Sequence, residues 1–187
     1  VIERVMKDWT VLPVRFSTVA DSIEDIRGVL RKRYEEFKSM LRDMDNKIEL
    51  GLKALWKDMD MVFQEMLQEN EEIKRLRDKI AAMPPAKTYG DKINLGKMVQ
   101  AGLKSKKEAE ADKMMNSLKT ISADTRVNQV YGDNMVLNAA FLVGMTRIKE
   151  FDNMVEGFDA AHSKRLKIKY VGPAPPFNFV NIVVEWK

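Results

Sequence analysis

Side chains that commonly carry catalysis or hold a metal are scarce in this sequence. It contains no cysteine and one histidine, His162, whereas a transition-metal site usually needs several histidine or cysteine ligands. A serine nucleophile needs a neighbouring base, and His162 is the only imidazole. It stands in AAHSKR, near the predicted end of a helix, where a positive charge suits the helix dipole. We therefore predict an exposed helix-terminal histidine, no metal site and no catalytic residue.

Carboxylates are abundant, but they are interleaved with lysine and arginine, as in residues 69–77. This pattern is typical of solvated helix faces with ion pairs between positions i and i+4. The glycine-rich loops that cradle phosphates, GxxxxGK[ST] and GxGxxG, are absent from the sequence. We therefore expect no cofactor, and an enzyme stays open only as an alternative function.

The formal net charge of +4 permits binding to an acidic partner. Residues 87–119 hold eight lysines against four acidic residues. An RNA-binding sheet, however, stacks bases on two or three aromatic rings of its central strands, and here those strands offer only Phe141 and Trp56. We expect no nucleic-acid partner and keep an RNA-binding module as the second alternative.

Two further absences bear on location. No run of about 18 apolar residues occurs in the sequence, so no membrane-spanning helix is expected. Without cysteine, disulfides are excluded, and a reducing cytoplasm is the predicted compartment.

Hydrophobic periodicity in the first two thirds of the chain predicts mostly helices. A helical repeat with Asp21 as N-cap covers 21–44, and alternation of apolar with charged residues, apart from Gly51 and Leu55, predicts a strand over 47–56. Helical spacing returns over 57–83, where Pro84-Pro85 ends it, and again over 91–120. The last two segments together predict a long α-hairpin.

The remaining residues predict two strands at 124–131 and 134–144, a helix at 146–162, and a strand in RLKIKYV, with Val180 to Trp186 alternating as a further strand. The order from residue 47 to 171 is therefore β-α-α-β-β-α-β. Removing one helix gives βαββαβ, the ferredoxin-like order. We predict an α+β fold, an antiparallel sheet with helices on one face and an inserted long helical hairpin.

The start of the chain predicts a domain boundary. Residues 1–8 look like the last turns of a helix, and WTVLPVRFST, interrupted by Pro13, favours an edge strand or an extended crossing segment. We expect residues 1–20 to be the end of an N-terminal domain that is otherwise missing. Residues 21–46 would then be a connecting helix, and 47–187 a ferredoxin-like domain with the helical pair 57–120, the proline-rich turn and the last strand.

Two segments resemble a known family. VIERVMKDWTVLPVRFST (1–18) is similar to a helix followed by LP-x-RFGT, and Ser17 stands where glycine is usual. GPAPPFNFV (172–180) is similar to GPWPPYNFV, with Ala174 in place of the usual tryptophan and Phe177 in place of tyrosine. The matching residues are Leu12, Pro13, Arg15, Phe16, Thr18, Gly172, Pro173, Pro175, Pro176, Asn178, Phe179 and Val180.

On these motifs the chain resembles the gas vesicle protein F/L family. The resemblance implies a two-domain protein with ferredoxin-like elements, located on or near the gas vesicle. It also implies a minor component or assembly accessory that associates with the hydrophobic shell protein and other gas vesicle proteins. Whether such a protein coats the vesicle or only keeps the shell protein from aggregating stays open.

The two motifs are expected to be structural or partner-binding. We predict that Phe177 and Phe179 anchor the second motif on the core, and that Arg15 satisfies a buried or interdomain contact. The expected partner surfaces are the helices at 57–120 and any open edge of the sheet. Lysines 104, 106 and 107 make the second helix less apolar, so the first helix and the sheet are favoured.

Overall fold

The computed structural model describes residues 2–14 and 17–183, and this part of the chain forms seven α-helices and a four-stranded sheet. Short 3-10 turns precede α6 and α7. The elements are α1 (Ile2–Val5), α2 (Ile23–Lys32), α3 (Tyr34–Met44), β1 (Lys47–Trp56), α4 (Met59–Glu69), α5 (Glu71–Ala81), α6 (Tyr89–Lys119), β2 (Asp124–Val127), β3 (Met135–Gly144), α7 (Ile148–His162) and β4 (Leu166–Ala174).

The strands lie in the order β2-β3-β1-β4, and every neighbouring pair is antiparallel. This is the ferredoxin-like arrangement, so the predicted α+β fold is confirmed. β1 has the predicted bounds, and its alternation places one face in the core. That face carries Ile48, Leu50, Leu52, Ala54 and Trp56, each at most 5% exposed.

The predicted helix over 57–83 is wrong, because the chain forms two helices that meet at Asn70. The Asn70 side chain accepts hydrogen bonds from the backbone N–H groups of Glu72 and Ile73, both at 3.1 Å, and so caps α5. α4 and α5 pack on α6 at Gly102, where an added Cβ would lie 2.7 Å from Met66 Cε. The inserted hairpin therefore has a bent first arm.

The single helix predicted over 21–44 is also wrong, since α2 and α3 are separated by Arg33. No glycine or proline marks the break in the sequence. Arg33 lies over the nearby Phe37 ring and donates to the carbonyl oxygen of the distant Val183 at 2.7 Å, so a long-range contact is made at the junction. The N-cap of α2 is Ser22, not Asp21; its Oγ accepts from the Asp25 N–H at 3.1 Å.

Three strand predictions need correction. β2 ends at Val127 rather than at residue 131, and residues 10–14 form no strand. Residues 180–183 form no strand either, whereas 184–187 lie outside the described residues. Alternation favoured a strand at the end of the chain, but the preceding turn is fixed across one face of the sheet instead of pairing at its edge.

Candidate partner-binding surface

The apolar stripe of α2 is exposed. α2 is amphipathic, with apolar residues at the spacing of a helix that packs on a core, yet neither α2 nor α3 buries any residue. Ile23, Ile26 and Leu30 are 69%, 45% and 52% exposed. An apolar stripe without a covering element is the usual property of a helix face that binds a partner.

Beside this stripe runs an open apolar groove of about 440 Å³, here called the α2 groove. One wall comes from α2 and α3, and the others come from the segments before α2 and after β4. Among the described residues that line it, Thr18 alone has a polar side chain. The lining residues are Leu12, Val14, Thr18, Ala20, Ile26, Val29, Leu30, Phe37, Leu41 and Ile182.

The first family-like motif contributes directly to this groove. Leu12 is half-buried in its wall, Pro13 is buried and Thr18 lies at its rim. Ser17 has φ +65°, a left-handed conformation that glycine adopts at lower cost, and this explains the glycine of the family pattern. Arg15 and Phe16 lie outside the described residues, so the contact predicted for Arg15 stays a prediction.

The second motif is a clasp on the sheet. Gly172 has φ +151°, and a Cβ there would lie 2.5 Å from Leu50 Cδ2. Pro173 follows it, in the exposed part of β4. Pro175 and Pro176 are buried, so the motif is anchored. These prolines are not the residues that were predicted as anchors, which were Phe177 and Phe179. The motif is therefore held by its glycine and its prolines.

The two aromatic residues of the motif do not lie in the core. Phe177 is 50% exposed, so its predicted anchoring is wrong. Phe179 is half-buried, and the Arg126 guanidinium lies 5.8 Å from its ring centroid. Val180, 9% exposed, is buried in the same segment. These contacts keep the segment over the sheet, on its way to Ile182 in the α2 groove.

Glu49 fastens this clasp. It is 7% exposed on β1, and its two oxygens accept hydrogen bonds from the backbone N–H of Asn178 at 2.7 Å and from the Asn178 side-chain amide at 2.5 Å. Burial raises the pKa of the Glu49 carboxyl, and the two Asn178 bonds oppose that rise. Glu49 was not singled out from the sequence, because it alternates with core residues like any polar strand residue.

A second, smaller cleft of about 190 Å³ lies at the start of the clasp. Ala174, which replaces the tryptophan of the family pattern, lines it together with Trp9, Met44 and Met145. Trp9 is 73% exposed. The cleft lies where a larger side chain at position 174 would extend.

The charged residues that sequence reasoning assigned to solvated faces include one ordered cluster. Arg165 donates to both oxygens of Glu65, at 2.5 and 2.9 Å, and its Nε donates to Glu110 at 2.8 Å. Trp56 Nε1 donates to the other oxygen of Glu110 at 2.7 Å, and Lys106 lies 3.3 Å from Glu65. The cluster ties α4, α6 and the start of β4 together, which is a structural role.

Over residues 2–14 and 17–183, no three histidine, cysteine or acidic side chains come close enough together to hold a metal ion. His162 is the last residue of α7, as predicted, and is partly exposed. Of the helices just described, none combines the length and apolar composition needed to cross a bilayer. The α2 groove, by contrast, has an apolar lining.

Comparison with known proteins agrees with this description. Residues 1–181 match the family described as gas vesicle synthesis protein GvpL/GvpF. Gas vesicle protein F of a Nostoc species is 27% identical over 92% of this chain and 70% of its own length. Gas vesicle protein F1 of Halobacterium salinarum is 25% identical over 97% of this chain and 66% of its own length.

Two crystal structures share the fold. GvpF from an Anabaena species matches with a TM-score of 0.85 at 24% identity, covering 98% of this chain and 75% of that one. GvpF from Microcystis aeruginosa matches with a TM-score of 0.81 at the same identity, covering 97% and 75%. In all four comparisons the relative is longer than the part that matches.

Proposed function

The chain belongs to the gas vesicle synthesis protein GvpL/GvpF family, and on that premise we propose that it is a non-enzymatic accessory that binds the hydrophobic shell protein of the gas vesicle. In this proposal it covers apolar surface of the shell protein during assembly and so prevents aggregation. Its place of action is the gas vesicle, and its partners are the shell protein and other gas vesicle proteins.

The observation that carries this proposal is the α2 groove. A protein that lines a gas space must expose apolar surface before it assembles, and such surface aggregates in water. A groove of about 440 Å³ with an almost wholly apolar lining, beside the exposed stripe of α2, fits one apolar segment of such a partner. Leu12 and Thr18 of the first motif line the groove, which supports a partner-binding role for that motif.

The first helical arm, which the sequence favoured as a partner surface, is less suitable for binding than the α2 groove. The apolar seam of the first helical arm is in the core, since Val62, Met66 and Ile73 are at most 4% exposed. This seam packs α4 and α5 against α6, so little of its apolar surface is exposed to a partner. The proposed contact therefore moves from the helical pair at 57–120 to α2 and the segments beside it.

The alternatives find less support. An RNA-binding sheet needs accessible aromatic rings, but Phe141 and Trp56 are 0% and 2% exposed on the face covered by helices. An enzyme would place a carboxyl of raised pKa in a cleft. Glu49 has such a pKa but is occupied by Asn178, so we retain the binding function.

A matched pair of variants tests the proposal. Ile26→Asp places a charge in the α2 groove, and Ile93→Asp makes the same change on α6; the two isoleucines are 45% and 46% exposed. Each purified protein is mixed with shell protein diluted from denaturant, and turbidity and co-sedimentation are followed. We expect the unmodified chain and Ile93→Asp to suppress aggregation and co-sediment, and Ile26→Asp to lose both.

Other outcomes contradict the proposal in different ways. If all three proteins fail to suppress aggregation or to co-sediment, binding of the shell protein by this chain is wrong. If Ile26→Asp behaves like the unmodified chain, the groove assignment is wrong. If the chain forms dimers in gel filtration that Ile26→Asp alone disrupts, and shell protein does not compete with them, a second copy of the chain occupies the groove.

A further inference from the structure

Three lysines lie together on the face of the sheet that does not carry helices. Lys53 on β1 is directly opposite Lys169 on β4, and Lys167 is opposite Leu55, one row further along. All three are exposed, whereas the residues beside Lys53 in sequence, Leu52 and Ala54, are fully buried on the other face. Side chains in directly opposite positions have Cβ atoms about 5 Å apart, so the three ammonium groups form one patch, here called the lysine patch.

In the described part of the chain, no acidic side chain pairs with this patch. None of the ion pairs formed within residues 2–14 and 17–183 includes Lys53, Lys167 or Lys169. Like charges in opposite positions on neighbouring strands destabilise a sheet. By contrast, Arg165, immediately before β4, has two carboxylate partners. The repulsion between the lysines is relieved when a partner places negative charge beside them.

Protection of the sheet edge does not account for the patch. β4 is the last strand in the order β2-β3-β1-β4, and lysines on an edge strand commonly discourage pairing with another chain. That reason can apply to Lys167 and Lys169. It cannot apply to Lys53, because β1 lies between β3 and β4. The third lysine points to a ligand with several negative charges.

The strand beside the patch indicates the shape of that ligand. β4 runs over nine residues, and in the described part of the chain β1 is its only strand partner. An added strand would place every second side chain on the face of Lys167 and Lys169. The intervening side chains would meet Ile168 and Tyr170, on the face covered by helices. Tyr170 is held there by a 2.6 Å hydrogen bond from its hydroxyl to Asp152 and by stacking on Phe151.

We propose that the free edge of β4 binds an extended acidic segment of another protein as a fifth strand, with carboxylates at alternate positions against the lysine patch and apolar residues between them. This surface is separate from the α2 groove, and the proposal does not depend on the shell protein being the partner. A protein segment fits better than a nucleic acid, because the patch contains no aromatic side chain on which a base could stack.

The probe is a fluorescent peptide of about eight residues, a usual strand length, that alternates glutamate and valine; binding is followed by anisotropy at low salt. We expect Lys167→Glu/Lys169→Glu to weaken binding about tenfold or more, since two attractive pairs become repulsive. The same variant should gain binding of an alternating lysine–valine peptide. Lys92→Glu/Lys97→Glu, which changes the net charge equally on exposed lysines of α6, is the matched control and should bind like the unmodified chain.

Strand addition is tested separately from charge. Hydrogen exchange at residues 166–174 should slow when the glutamate–valine peptide binds, and the same peptide N-methylated at alternate residues should bind at least tenfold more weakly. The proposal is wrong if the control variant loses as much affinity as the patch variant. It is also wrong if N-methylation has no effect, or if a single-stranded RNA of equal length binds the patch more tightly than the peptide. Each of these results leaves the Ile26→Asp experiment unaffected, so the two proposals fail independently.

Discussion

Replacement of Arg165 by methionine tests whether the charged cluster at the start of β4 holds the inserted helices to the sheet. Methionine keeps most of the apolar stem and removes the guanidinium, so the change acts on the ion pairs more than on packing. Glu65 would keep Lys106 at 3.3 Å, and Glu110 would keep the Trp56 N–H at 2.7 Å. Neither carboxylate would be left without a partner, which limits the loss.

The expected cost lies between two limits. Exposed ion pairs contribute up to about 1 kcal/mol, whereas breaking a buried pair costs about 3–5 kcal/mol. The side chains of Arg165, Glu65 and Glu110 are 23%, 30% and 17% exposed, so the cluster is intermediate. With three charge-assisted hydrogen bonds lost, we expect the free energy of unfolding to fall by about 2 kcal/mol.

Urea melts at neutral pH measure this loss, with Arg165→Lys and Glu65→Gln as companions. Lysine keeps the charge but not the fork that binds both Glu65 oxygens, so it should lose about half as much. Arg165→Met and Glu65→Gln together should cost less than the sum of the two single changes, because both remove the same contact. A loss below about 0.5 kcal/mol in Arg165→Met, or strict additivity, would refute this account of the cluster.

The same cluster predicts a pH dependence. Hydrogen bonding to Arg165 lowers the pKa of the Glu65 carboxyl below its usual 4.5, and Lys106 assists. A carboxyl whose pKa is lower in the folded state than in the unfolded state stabilises the fold when the pH is above its unfolded-state pKa. This stabilisation is lost as the pH falls through the folded-state pKa. The difference in unfolding free energy between the unmodified chain and Arg165→Met should therefore narrow below pH 4.5, and a constant difference there would contradict the assignment.

Two further changes test the clasp. Gly172→Ala should lower the free energy of unfolding by about 2–3 kcal/mol, because φ is +151° and the new Cβ would lie 2.5 Å from Leu50 Cδ2 and 3.2 Å from the Glu49 carbonyl oxygen; an unchanged urea midpoint would contradict this. Ala174→Trp should raise the free energy of unfolding by about 1 kcal/mol by filling the 190 Å³ cleft beside Trp9. A lowered urea midpoint would show that the cleft cannot accept the ring.

Local patterns predicted the elements whose burial is regular. β1 alternates, apart from Gly51 and Leu55, because one of its faces packs under the helices, and its bounds were predicted to the residue. The order of strands and helices followed from such segments, and with it the ferredoxin-like fold. Breaks within helices were missed where their cause is a side-chain cap, as at Asn70, or a distant contact, as between Arg33 and Val183.

The clasp was harder to predict for the same reason. Its sequence signal, GPAPPFNFV, indicated a rigid turn, and two of its prolines are buried. Its fastening, however, joins Asn178 to Glu49 across 129 positions of sequence. A polar residue on an alternating strand is normally assigned to solvent, and only the fold shows that the returning chain covers this one.

The α2 groove illustrates what periodicity leaves undetermined. Helical spacing identified the stripe of Ile23, Ile26 and Leu30, and the same spacing in α7 identified Phe151 and Val155, which are 0% and 4% exposed. The two patterns are equivalent in sequence, yet only the second is covered by the sheet. Periodicity gives the apolar face of a helix but not the surface that packs against it. A helix with a core-like stripe and no buried residue is therefore the feature that directs attention to a partner, and here it follows the segment that contains the first family-like motif.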